Sequence, residues 1–151
     1  MPVTLQRVDQ ATWESDAQVR TDLVRIYVDA PAERMPQAPE DFVSEHLAEA
    51  ARFFCCAHFN DRLLGAVAVT PQSEAWWLGH LCVRKSTRRR GVGSRLLTLT
   101  HQSASQEGRQ LRVISSQLAM ADQLLLRGLG YRLTQTGDYF ELDLPPKGAG
   151  P

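Results

Sequence analysis

The sequence predicts an α/β domain built on one mixed central sheet with helices on both faces, and three observations lead there. The first is size: 151 residues, 43% of them hydrophobic, suffice for one domain with a core of ordinary extent. The second is the succession of strand-like and helix-like apolar patterns in the order βααβββαβαββ. The third is a junction in which an apolar run ending Leu81-Cys82-Val83 feeds the loop Arg88-Arg89-Arg90-Gly91-Val92-Gly93-Ser94, and that loop opens an amphipathic stretch beginning Arg95-Leu96-Leu97.

Each element has its own signal. Val3 to Val8 alternates apolar and polar residues and predicts a first strand. From Asp16, Val19, Leu23, Val24, Ile26 and Tyr27 recur at helical spacing until Pro31. Glu33 to Pro39 holds two prolines and no period, so it reads as a loop, after which Phe42, Val43, Leu47 and Ala50 mark a second short helix. Arg52 to Phe59 and Arg62 to Thr70 are strand-forming runs joined by Asn60-Asp61, the two-residue link of a hairpin. Ala75 to Val83 is a strand with almost no polar interruption, as expected at a sheet centre covered on both faces. The helix carrying Val92, Leu96, Leu97 and Leu99 breaks near Gly108; Leu111, Val113 and Ile114 give a parallel strand, and Ser115-Ser116 leads out of it. A last helix over Ala119 to Leu129 stops at Gly130, and Tyr131 to Thr136 with Tyr139 to Leu144 forms a hairpin around Gly137-Asp138. The domain is thus expected over 1–144, with the Pro/Gly-rich stretch 145–151 a disordered tail.

Composition narrows the function. Seventeen basic and 17 acidic side chains cancel, so the arginines near position 90 are a local feature and bulk nucleic-acid affinity is not implied. No apolar run is long enough to span a bilayer, and Arg7 and Asp9 interrupt any secretory apolar region, so a cytoplasmic protein without membrane attachment is expected. Cys55, Cys56 and Cys82 lack metal-ligand spacing and read as small buried hydrophobes, the neighbouring pair on opposite faces of its strand. No metal site is expected.

The junction carries the chemistry. A helix N-terminus presents amides without intrahelical partners and the positive end of the macrodipole, and Gly91 and Gly93 let an anion come close to several of them. A dinucleotide turn would need a glycine where Leu96 stands, and a phosphate-binding Walker loop would need Gly-Lys-Ser/Thr. A basic helix start on a solvated surface is the plain alternative. The remaining pattern, Arg-x-x-Gly-x-Gly at Arg88, Gly91 and Gly93 after a strand, resembles the pyrophosphate loop of the GCN5-related N-acetyltransferase (GNAT) superfamily, whose element order the chain shares.

Within that superfamily, Phe59-Asn60-Asp61-Arg62-Leu63-Leu64-Gly65-Ala66-Val67, Leu81-Cys82-Val83-Arg84 and Thr87-Arg88-Arg89-Arg90-Gly91-Val92-Gly93 resemble the PanZ (PanM) family of acetyl-CoA-binding maturation factors for aspartate decarboxylase. The resemblance implies acetyl-CoA or CoA as ligand. Backbone groups of Leu81, Cys82 and Val83 would pair with the pantetheine amides like an added strand, and amides from Thr87 through Arg88, Arg89, Arg90, Gly91, Val92 and Gly93 to Ser94 would hold the pyrophosphate. It also implies that Asn60 contacts the aspartate decarboxylase precursor, although Asn is a favoured hairpin-turn residue whatever the function. The chain departs from the family pattern in its longer Glu33 to Ala51 segment and in His58, where an arginine is common.

Whether the chain is an enzyme turns on its acid and base. Many acetyltransferases of this fold place a tyrosine four residues before the glycine ending the last helix, and here that position is Leu126. Tyr131, the nearest phenol, is expected to face the core or the sheet. His80 in the middle of the central strand and Glu74 in the preceding turn are the candidate bases, a satisfied core histidine being the alternative for His80. Three functions therefore compete: an acetyl-CoA-binding regulator, an N-acetyltransferase for a small-molecule or protein amine, and a nucleic-acid binder. The last lacks stacking platforms, since Trp76 and Trp77 lie in an apolar strand.

Overall fold

The computed structural model describes residues 2–118 and 120–142. The expected tail 145–151, Ala119 at the expected start of the last helix, and residues 143–144 of the closing strand lie outside that range. Among the described residues the strands are β1 (Thr4–Val8), β2 (Phe53–Phe59), β3 (Arg62–Pro71), β4 (Ala75–Val83), β5 (Gln110–Ile114), β6 (Arg132–Leu133) and β7 (Tyr139–Leu142). They form one sheet in the order β1-β2-β3-β4-β5-β7-β6, antiparallel throughout except for the β4–β5 pair. The helices are α1 (Gln10–Ser15), α2 (Ala17–Val28), α3 (Pro39–Ala48), α4 (Val92–Gln106) and α5 (Met120–Gly128).

Helices cover both faces, as expected. Leu23, Ile26 and Tyr27 of α2 and Phe42 and Val43 of α3 bury against Phe54, Cys56 and Ala66 on one side of the sheet. Leu96 and Leu97 of α4 and Leu126 of α5 bury with Cys55, Val67 and Trp76 on the other. The period of two sends Cys55 and Cys56 into different cores, and each large apolar side chain withdrawn from water contributes about 1.5–3 kcal/mol.

Helix α1 is absent from the sequence reading because six residues are too few to show a period. Caps sustain it. Asp9 accepts the Thr12 N–H at 2.9 Å, and Arg20 donates to the Trp13 and Glu14 carbonyls at 2.7 and 3.0 Å. Asp16 both ends α1 and caps α2, accepting the Gln18 and Val19 N–H groups. At the other end of the chain, the expected strand Tyr131 to Thr136 shortens to Arg132–Leu133. The Thr134 N–H bonds the Tyr139 carbonyl and the Gly137 N–H bonds the Thr134 carbonyl, so these residues make the hairpin turn instead.

Two irregularities in β4 shape the molecule. Ala66 faces Cys82 while Ala68 faces Gly79, so β4 carries one residue more than β3 there. That bulge falls at His80, whose φ is +53°, rather than in the continuous strand the apolar run predicts. Furthermore, β4 pairs with β5 only over Ala75–Leu78 against Gln110–Val113. Beyond Leu78 the two parallel strands part, leaving one edge of Gly79–Val83 open.

Candidate functional site

A cleft of about 520 Å³ opens where β4 and β5 part, walled by the segment after α2, the loop before α4 and one face of α5. Leu81, Cys82, Val83, Thr87, Arg88, Arg89, Gly91, Val92, Gly93 and Ser94 all line it; Arg90 does not. The first intrahelical bond of α4 runs from the Arg95 N–H to the Gly91 carbonyl at 2.9 Å, so the amides of Val92, Gly93 and Ser94 have no partner in the helix. Gly91 caps the helix at φ +78° with no side-chain bond to those amides. A Cβ there would meet no atom within 4 Å apart from its chain neighbours, so the space beside Gly91 is open. An uncapped 15-residue helix beside an unpaired strand edge suits an anion at one end and an extended amide-bearing chain along the other.

The three adjacent arginines do different work. Arg88 donates through Nε to the Val83 carbonyl at 3.1 Å and through Nη2 to the Asp29 carbonyl at 2.8 Å. Arg84 Nε and the Lys85 N–H both reach the Asp29 carboxylate, at 2.9 and 3.0 Å. Burial pushes the Asp29 carboxyl pKa up, but the Lys85 amide and the Arg84 guanidinium outweigh it and hold the pKa below 3.8. Arg88 thus braces the loop against the end of α2, Arg89 at φ +66° borders the cleft, and Arg90 is exposed outside it. Sequence alone gives no signal for this division.

Tyr27, read only as a core position, also belongs to the site. It lines the cleft, and its hydroxyl donates to the His80 carbonyl at 2.7 Å, fixing the bulge. Burial pushes its phenol pKa well up, so it serves as a fixed donor. The His80 ring stands edge-on to Phe42, centroids 4.6 Å apart, and burial lowers its pKa below 6.5. Glu74 lies in the turn before Ala75, at the far end of β4, and borders neither this cleft nor the one on the other side of the bulge. Helix α5 gives Ala121, Asp122 and Leu125 to the cleft, none of them a phenol, while Leu126 is buried in the core. Tyr131 is buried there too, with no hydrogen-bond partner for its hydroxyl among the described residues and a pKa raised by burial. The cysteines are free and buried, Cys55 being pushed up to about 12, so none is a ready thiolate.

Asn60 lies apart from the cleft, exposed in the β2–β3 turn, where it and Asp61 have φ of +50° and +60°. This is the backbone a two-residue hairpin link demands. The turn is fastened to α2 through Asp22, which is 2% exposed. Its carboxylate accepts Arg62 Nε and Nη2 at 3.0 and 2.8 Å, the Leu63 N–H at 3.1 Å and Gln18 Nε2 at 2.8 Å. Burial raises the Asp22 pKa, yet Arg62, Leu63 and Gln18 together hold it below 3.8.

The family described as "Acetyltransferase (GNAT) domain, PanZ" matches residues 2–128. The PanD regulatory factor of Salmonella typhimurium is 44% identical over 59 residues, 39% of this chain and 46% of that protein, so the match spans under half of the relative's length. YhhK from E. coli, solved bound to coenzyme A, is 25% identical with a TM-score of 0.66, covering 95% of this chain and 100% of YhhK. An aminoglycoside 6'-acetyltransferase type Ii shares the fold at TM-score 0.75 and 18% identity, covering 95% of this chain and 98% of that one. The chain belongs to the PanZ family of GNAT acetyltransferase domains.

Proposed function

We propose that this protein binds acetyl-CoA in the cleft beside β4 and, so loaded, docks its Asn60 turn on the aspartate decarboxylase precursor to promote that protein's self-cleavage in the cytoplasm. One observation carries the ligand reading: Val92, Gly93 and Ser94, whose amides lack helix partners, line the cleft next to a left-handed Gly91 and beside a strand edge left open by β5. The helix start would hold the pyrophosphate, and Leu81, Cys82 and Val83 would pair with the pantetheine amides. Bound there, the ligand supplies a diphosphate and an acetyl thioester. The partner reading is supported by the family and by the name of the Salmonella relative, a PanD regulatory factor. Asp22 supports it by holding the Asn60 turn in one conformation before any partner arrives.

The test is cleavage of the precursor from the same organism, followed as two fragments by mass spectrometry. Protein plus acetyl-CoA should accelerate cleavage, and leaving out the ligand should weaken the effect. Asn60→Ala should remove the acceleration while calorimetric acetyl-CoA affinity stays at the wild-type value and Tm falls by only the few degrees that an alanine at φ +50° costs. No acceleration by the folded, ligand-bound wild type would sink the partner assignment and leave the ligand assignment standing.

A further inference from the structure

Two walls of the cleft beside β4 are joined across it by an ion pair. Arg34 ends a short turn of helix (Ala32–Arg34) that follows α2, Asp122 lies in the first turn of α5, and both residues line the cleft. Arg34 Nη1 comes within 3.9 Å of Asp122 Oδ2. The floor between these walls is the open edge of Gly79–Val83, so a contact from wall to wall crosses the strand along which the pantetheine would lie. We infer that the Arg34–Asp122 pair is a strap that must part to admit or release acetyl-CoA, and so sets how long the ligand stays. This rests on acetyl-CoA occupying the cleft.

The pair differs from its neighbours as a parting contact should. Among the described residues the four other ion pairs lie between 2.8 and 3.1 Å, and each includes a hydrogen bond. At 3.9 Å a hydrogen bond is out of reach, and what remains is attraction between side chains that are 37% and 30% exposed. Such a pair opens readily, yet its loss is worth a few-fold in a rate. Burial is the main cause of the raised Cys82 thiol pKa, and the Asp122 carboxylate adds to it, which puts that carboxylate near the cleft floor.

The two ends of the strap are held unequally. Helix α5 is anchored by Leu126 in the core, with Leu125 and Leu129 packed against the same cluster. The turn bearing Arg34 has none of its three residues buried, and it is closed only by the Arg34 N–H on the Pro31 carbonyl and the Met35 N–H on the Ala32 carbonyl. The strap therefore opens from the Arg34 side. Arg34 also falls within the Glu33 to Ala51 segment that is longer here than in the family pattern, so the strap is a device of this chain. A strap closed over the empty and the loaded cleft alike slows entry and exit equally and leaves affinity where it was. A side chain that touches the ligand changes affinity instead.

Rapid filtration of radiolabelled acetyl-CoA on the full chain reads both rates. Arg34→Gln and Asp122→Asn should each raise kon and koff about threefold, with Kd within about 1.5-fold of wild type and Tm unchanged. Arg34→Gln leaves Asp122 in place, so its effect is independent of any other contact of that carboxylate. The double variant Arg34→Gln/Asp122→Asn should be no faster than either single one, and the exchanged pair Arg34→Asp/Asp122→Arg should return both rates to near wild-type values. Unchanged rates in the two single variants, or an exchanged pair that stays fast, would overturn the strap. So would opposite effects on Kd, with Arg34→Gln weakening the ligand and Asp122→Asn tightening it, which would make Arg34 a ligand contact. If the wild type bound no acetyl-CoA, the strap and the ligand assignment would fall together; normal binding with any of the preceding failures removes the strap alone.

Discussion

Two loops of this protein reverse the chain through left-handed residues, and they end in opposite states. The loop from Arg88 to Ser94 leaves its helix-start amides without intrahelical partners and opens them to a cleft. The Asn60-Asp61 turn has its flanking groups met from beneath by Asp22. On the proposed reading the first is completed by a ligand, whereas the second is complete already. A small anion gains most from donors that nothing else has claimed, whereas a protein partner gains most from a surface that needs no ordering on contact.

The largest effect should come from spoiling the open loop. Gly91→Val places a branched side chain at φ +78°, in the space where the diphosphate must touch the backbone. Acetyl-CoA affinity should fall about 100-fold or more, or roughly 2.7 kcal/mol, by calorimetry. Because a Cβ at this position meets no protein atom within 4 Å, the fold should survive with only the strain of the left-handed residue, about 1–2 kcal/mol. Unchanged affinity in the folded variant would show that the ligand does not lie there.

Spoiling the closed turn should act on stability and leave the ligand alone. Asp22→Asn removes the charge that Arg62 and the Leu63 N–H share, and Tm should fall by roughly 5–10 °C. The pH dependence carries the sign. The Asp22 pKa is lower in the folded protein than its usual 3.8, so the carboxylate's contribution is present above that value and is lost as pH falls through the lower folded one. The Tm gap between wild type and variant should therefore stay constant between about pH 5 and 7 and close below about pH 4. A gap that persists at pH 2 would mean Asp22 acts by packing and not by charge.

The contrast also explains what the sequence could and could not disclose. Strands β2, β3 and β4 fall within a residue or so of the expected ranges because long apolar runs with a clear turn between them leave little freedom. Ten of the eleven residues expected at the ligand site line the cleft, since they sit on a strand, loop and helix succession that local pattern reveals. What was not legible depends on long-range geometry. The bulge at His80 is set by its register against β3, the brace of Arg88 by Asp29 from α2, and the role of Tyr27 by a carbonyl 53 residues away. Helix α1, held by caps at its two ends, escaped because capping is a property of single residues and not of a period.

The smallest effect should come from Arg90, and it separates charge from contact within the open loop. Arg90 is exposed and borders neither cleft, whereas Arg89 beside it lines the first and Arg88 is bonded to the Val83 and Asp29 carbonyls. Whatever Arg90 gives an anionic ligand is therefore long-range attraction through water, which salt screens over about 10 Å at 0.1 M. Arg90→Gln should weaken acetyl-CoA about twofold at ~0.02 M salt and immeasurably at ~0.5 M, with no change in Tm. Arg89→Gln should retain part of its loss at high salt, because a side chain at the cleft edge meets the ligand where screening ions do not fit between them. Calorimetric titrations of both variants at the two salt concentrations decide the matter. If the loss in Arg90→Gln survived high salt, Arg90 would be contacting the ligand directly, and the division of labour among the three arginines would have to be redrawn.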